Sequence, residues 1–149
     1  MRISVEINSQ VKVPLDSLRS LGALFRQAAR LTAVKAKFKK NLSVSVGLVG
    51  EGTMKKINFR YRHKNKPTDV LSFGEVNEIV ICLPQALKQS KTAKHFLERE
   101  LTFLFVHGLL HLLGYEDETW CGYEFMLKLG QEITQKALKR MVQPLPLLS

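Results

Sequence analysis

The segment HGLLHLLGYED, residues 107–117, sets two histidines four positions apart and follows them with a glycine and two carboxylates. On an α-helix, residues i and i+4 stand above one another on one face, so the imidazoles of His107 and His111 can reach one point. Gly114 can take the left-handed conformation that ends a helix and turns the chain back. That turn brings Asp117 toward the same point, with Glu116 as the alternative donor. Two nitrogens and an oxygen with a fourth position open form the donor set of a catalytic zinc site, not of a closed structural one. Manganese, nickel or iron would accept the same donors. The competing reading makes both histidines core residues satisfied by backbone or water. It buries two polar rings one turn apart, at about 1 to 3 kcal/mol for each ring left unpaired. Coordination of one ion is the better account.

In zinc proteases of the HExxH type, the residue after the first histidine is a glutamate that acts as general base. Here that residue is Gly108, which argues against peptide hydrolysis by that route. Hydrolysis by metal-activated water remains open. A second group of residues suits phosphate. Arg62 carries a planar fork that matches phosphate oxygens, although a solvated arginine at a helix end would look the same in sequence. Around it, Lys55, Lys56, Arg60, Lys64 and Lys66 form a basic stretch able to hold a nucleic-acid backbone without reading its sequence. Tyr61 either stacks on an unpaired base or, by its helical spacing from Ile57, belongs to the core. A further basic run, Arg26, Arg30, Lys35, Lys37, Lys39 and Lys40, either extends the track or forms a solvated face.

The elements that must position these residues follow from periodicity. Ile3 to Ile7 alternates apolar and polar residues and reads as a strand, which Val11 to Val13 would extend. After Pro14, the residues Leu15, Leu18, Leu21, Leu24, Phe25 and Ala28 recur at helical spacing, with Asp16 or Ser17 available to cap the start. Leu42 to Val49 alternates again. Glu51 to Arg62 reads as a helix that presents Met54, Ile57 and Tyr61 on one face, and Pro67 prevents its continuation. Val70 to Phe73 and Glu78 to Leu83 read as a hairpin around Gly74 to Asn77, ended by Pro84. A long helix is expected from Lys94 to Leu113, closed by Gly114, and another from Glu118 to Met141, followed by a frayed QPLPLLS tail. The fold class is therefore α+β: a single domain over residues 1–149, with a small mixed β-sheet covered by helices.

Composition bounds the possibilities. A chain of 149 residues, 45% hydrophobic and 24% charged, can bury a core and is unlike a disordered polymer. A formal net charge of +10, with a pI near 9.8, favours a polyanionic partner. Cys82 and Cys121 are the only cysteines and form no CxxC pattern, which fits a reducing cytoplasm. The N-terminal residues lack the apolar core of a signal peptide, so secretion is not expected. The apolar stretch Leu101 to Tyr115 falls short of the about 20 residues that span a bilayer.

HGLLHLLGYED resembles the HGxLHLxGyDH signature of the YbeY family of bacterial ribosomal RNA maturation endoribonucleases. INFRYRHKNKPTDVLSF, residues 57–73, is similar to the family's LNxxYRxKDxPTDVLSF, and NEIVICLP to its GDIVIxxP strand. These blocks cover most of residues 57–117, in the family's order. The resemblance implies a metzincin-like metal site on the long central helix and the following turn, holding one zinc ion per chain. It also implies activity on ribosomal RNA, association with the small ribosomal subunit, and importance of Arg62, which matches the arginine of the family's YR element. The family's third histidine falls on Asp117. An aspartate can ligate zinc through one oxygen, but its charge lowers the Lewis acidity of the ion, so a weaker or differently metal-dependent activity is expected. The connection from Phe73 to Asn77 is also shorter than in the family. The leading reading is a zinc-dependent, single-strand-specific endoribonuclease acting in ribosomal RNA maturation and ribosome biogenesis in the cytoplasm. The alternatives are a metallohydrolase acting on peptides and an RNA-binding protein whose altered ligands leave it inactive.

Overall fold

The computed structural model describes residues 2–142, so the QPLPLLS tail lies outside the described residues. Four strands, β1 (Ile3–Ser9), β2 (Leu42–Val49), β3 (Val70–Phe73) and β4 (Glu78–Cys82), form one sheet in the order β1-β2-β4-β3. β1 and β4 run parallel to β2, and β3 pairs antiparallel with β4. Helices α1 (Leu15–Lys35), α4 (Leu97–Leu112) and α5 (Trp120–Val142) build the main core on one side of the sheet. Helix α2 (Glu51–Arg62) covers the other side with a smaller cluster of Val49, Met54, Leu71, Val80 and Cys82. The expected α+β architecture with a mixed sheet is present.

The alternation read from the sequence is what divides these two cores. In β2, Val44, Val46 and Leu48 join the main core. Val49, continuing past the last of these, turns to the α2 side. Helix α4 lies at the centre of the molecule, in contact with β3, β4, α1, α5 and the helix α3 (Leu83–Ala93). Phe105 on α4 stacks on Phe25 of α1, with ring centroids 4.4 Å apart, and both rings are fully buried. Burying such a side chain is worth about 1.5 to 3 kcal/mol, so this seam anchors the helix that carries both histidines.

Several boundaries differ from the sequence reading. Val11 to Val13 does not extend β1. The Ser9 hydroxyl donates to the Val11 carbonyl at 2.6 Å and accepts from the Val11 amide at 3.2 Å, and this local turn peels the chain away. Neither Asp16 nor Ser17 caps α1, which starts directly after Pro14, and Asp16 lies in its first turn. The helix expected from Lys94 starts only at Leu97, and a helix that the sequence reading did not include precedes it. Helix α3 (Leu83–Ala93) begins with Pro84 in its first turn, where proline is tolerated because that amide has no helical partner. Lys94, at φ 57°, then ends it, and α4 starts only at Leu97. The last helix begins at Trp120 instead of Glu118, with Thr119 capping it by accepting the Gly122 amide at 3.0 Å.

Candidate metal centre

The last turn of α4 closes as the sequence suggested. Gly114 has φ 102°, the Tyr115 amide donates to the Leu110 carbonyl, and the Gly114 amide donates to that of His111. These two bonds are the pair that ends a helix on a left-handed residue and satisfies its last carbonyls. The chain then doubles back through residues 115–119 and presents Asp117 to the histidines. Gly122 holds this turn close to the start of α5. A β-carbon there would lie 2.7 Å from the Glu116 carbonyl oxygen and 2.9 Å from Thr119 Oγ1.

The three donors converge. His107 Nε2 and His111 Nε2 are 3.2 Å apart, and Asp117 Oδ2 lies 3.5 Å from the first and 3.4 Å from the second. Two edges of a tetrahedron around zinc, with bonds of about 2.0 to 2.1 Å, subtend about 3.3 to 3.4 Å, so the triangle has the size that one ion requires. His111 Nδ1 donates to the Tyr115 carbonyl at 3.1 Å, which fixes the tautomer and leaves a lone pair on Nε2. Burial holds His107 below the ordinary imidazole range, with the neighbouring His111 acting in the same direction and the carboxylates of Asp117 and Asp69 opposing both. The balance favours the neutral, ligating form. Phe103 stacks on the His107 ring at 6.3 Å and is itself seated against Gly130 of α5, where a β-carbon would lie 3.1 Å from its ring. The donors are half-buried, which leaves one side of the group open. Glu116 is exposed and is not part of the group.

Gly108 has a packing reason. A β-carbon at this position would lie 2.9 Å from Ile79 Cγ2, so the helix approaches β4 more closely than any side chain permits. A glutamate here would point into the sheet and could not serve as a base.

The phosphate-directed residues gather elsewhere on the sheet's rim. Arg62 ends α2, and its Nη2 donates to the Ser72 carbonyl of β3 at 3.4 Å. No hydrogen bond or ion pair joins it to the histidines among the described residues. Lys55, Lys56, Arg60, Lys64 and Lys66 are all exposed. The buried Asn58 donates from Nδ2 to the Lys66 carbonyl at 2.8 Å and so ties the loop after α2 to the helix. In the second basic run, Lys35 pairs with Glu132 at 2.8 Å, so that part is a solvated face braced against α5. Tyr61 is not a core residue: it is 54% exposed, and Asn58 takes the buried position. The sequence reading missed Asp69, Phe103, Gly122 and Gly130. Asp69 alone had a signal, as part of the PTDVLSF block.

A convergent group of two imidazoles and a carboxylate on a helix and its following turn, in a domain with a mixed β-sheet, is of the class that could hold one metal ion with a side left open. Comparison with known proteins is specific. Residues 6–138 match the model of the family described as Endoribonuclease YbeY. A relative named Endoribonuclease YbeY from Syntrophomonas wolfei is 35% identical over 148 residues, covering 87% of this chain and 94% of the relative. Another of that name from Dehalococcoides mccartyi is 30% identical over 162 residues, covering 93% of each. The solution structure of a Thermotoga maritima protein superposes with a TM-score of 0.59 at 25% identity, covering 91% of this chain and 93% of that one. This chain belongs to the Endoribonuclease YbeY family. Among the described residues, no helix is long and apolar enough to cross a membrane.

Proposed function

We propose that this chain, acting as one domain over residues 1–149, is a zinc-dependent, single-strand-specific endoribonuclease in the maturation of small-subunit ribosomal RNA. It works in the cytoplasm in association with the ribosome. The observation that carries this reading is the triangle of His107, His111 and Asp117 in a chain of this family. His107 Nε2, His111 Nε2 and Asp117 Oδ2 hold one ion. That ion, when bound, supplies Lewis-acid polarisation of a phosphoryl oxygen and a water of lowered pKa.

The remaining work falls to the chain's own groups. Arg62, tethered to β3 through Ser72, is the catalytic cation that stabilises charge developing on the phosphate. Lys55, Lys56, Arg60, Lys64 and Lys66 hold the RNA backbone by charge, independent of sequence. The Tyr115 carbonyl keeps His111 in the ligating tautomer. The test is metal analysis of the purified protein beside His111→Ala and Asp117→Ala, with each sample assayed on single-stranded ribosomal RNA. One equivalent of metal, absent from both variants along with cleavage, is expected. RNA binding that survives chelation, with no cleavage by the wild type, would instead identify an inactive RNA-binding protein.

A further inference from the structure

Helical spacing from Met54 and Ile57 assigns Tyr61 to the core, yet its ring faces solvent. The ring is held in place all the same. Phe73, at the end of β3, meets it edge-on with centroids 5.2 Å apart and an interplanar angle of 68°. The Arg60 guanidinium carbon sits 5.5 Å from the ring centroid. Arg62 reaches the carbonyl of Ser72, the residue before Phe73, so an oriented aromatic ring and a phosphate-matching fork share one short stretch of the β3 rim.

Charge decides what would lie on that ring. Lys55, Lys56, Arg60, Arg62, Lys64 and Lys66 have no carboxylate within 4.0 Å among the described residues, since the ion pairs involve Lys35, Lys136 and three histidines. A second exposed aromatic pair, Trp120 and Tyr123, stacks at 5.9 Å but lies among the exposed Glu116, Glu118 and Glu124, which repel phosphate. Phe59 of the same helix is exposed as well, but among the described residues it has no partner ring, whereas the Tyr61 ring combines an open surface, a bracing ring and unneutralised cations.

We propose that Tyr61, braced by Phe73, is a nucleotide subsite on which one unpaired RNA base stacks while the adjoining phosphate meets Arg62. The subsite rests on the ribonuclease reading and adds a physical source of strand selectivity. A base inside a duplex has both faces covered by its neighbours and cannot offer one to the ring, whereas an unpaired base can.

The test measures kcat and KM on a single-stranded RNA oligonucleotide, and Kd for the same oligonucleotide annealed to its complement. Tyr61→Leu is expected to raise KM for the single strand about tenfold, the loss of one stacked base, with kcat falling less than KM rises. Its Kd for the duplex stays unchanged, and Tyr61→Phe restores the single-strand KM. Abasic nucleotides placed along the single strand should raise the wild-type KM by a similar factor, and this readout needs no variant to fold. An unchanged KM in Tyr61→Leu, or equal losses on single strand and duplex, would overturn the subsite and leave the ribonuclease reading intact. A wild-type protein that neither binds nor cleaves RNA would overturn both.

Discussion

At the C-terminal end of α4, each donor has a support of its own: Gly114 turns the chain and Gly122 presses the turn that carries Asp117 against α5, the Tyr115 carbonyl orients His111, and Phe103 backs His107. At the C-terminal end of α2, the cations project into solvent, and their only side-chain contacts among the described residues are one bond from Arg62 to Ser72 and the approach of Arg60 to the Tyr61 ring. On the proposed function, the difference follows from two tasks. Donors to an ion must converge to within tenths of an ångström, so their support has to be rigid. A polyanion is attracted through a field that reaches about 10 Å at 0.1 M salt, so cations need only be near, and fixing them would cost side-chain entropy without return.

The comparison can be broken most directly at the rigid end. His111→Ala is expected to take bound metal from one equivalent to none and to abolish RNA cleavage, read by elemental analysis and by the cleavage assay. A variant that keeps its metal would remove His111 from the ligand set. At Asp117 the signs should divide: alanine lowers zinc affinity, and histidine raises it by exchanging a carboxylate for a third imidazole. Competition with a chromophoric chelator measures both.

Arg62→Lys probes the one residue of the basic end given a catalytic role. Replacing the fork by a point charge is expected to lower kcat by about 10²- to 10³-fold, comparable to losing a transition-state donor, with metal content unchanged. A loss of metal here would mean that the two regions are mechanically one.

Gly108→Ala is a stability experiment on the rigid end. Forcing a methyl group against Ile79 should cost about 1 to 3 kcal/mol in urea unfolding, and adding Ile79→Val should recover part of it. No recovery would mean that the close approach of α4 to β4 is not what demands glycine.

The smallest effect belongs to the lysines. Lys55→Ala combined with Lys56→Ala should weaken RNA binding modestly. It should also reduce the slope of log affinity against log salt by about 0.7 for each phosphate no longer neutralised, with no change in metal content.

Much of this architecture is legible in the sequence, and the failures share a cause. β1 and β2 announce themselves because their apolar residues alternate at the period of a strand, and α2 because the large apolar Met54 and Ile57 recur at helical spacing. Helix α3 does not, because only Ala86 and Ser90 among its residues are buried, and two small side chains make no apolar stripe. Tyr61 misled for the opposite reason. Its spacing matches the buried face of α2, but the helix ends at Arg62, and the sheet beneath offers the ring only the edge of Phe73.

The sequence by itself determined the pair of imidazoles and the turn that follows them. The His107–His111 spacing and the Gly114 turn are local, and geometry within a turn or two of helix is set by residues a few positions apart. Only the tertiary structure decided that Asp117 and not Glu116 faces the ring nitrogens, that Gly108 makes room for Ile79, and that Tyr61 lies open beside Arg62. Each of these depends on how closely one element approaches another from a distant part of the chain, and no local pattern encodes that distance.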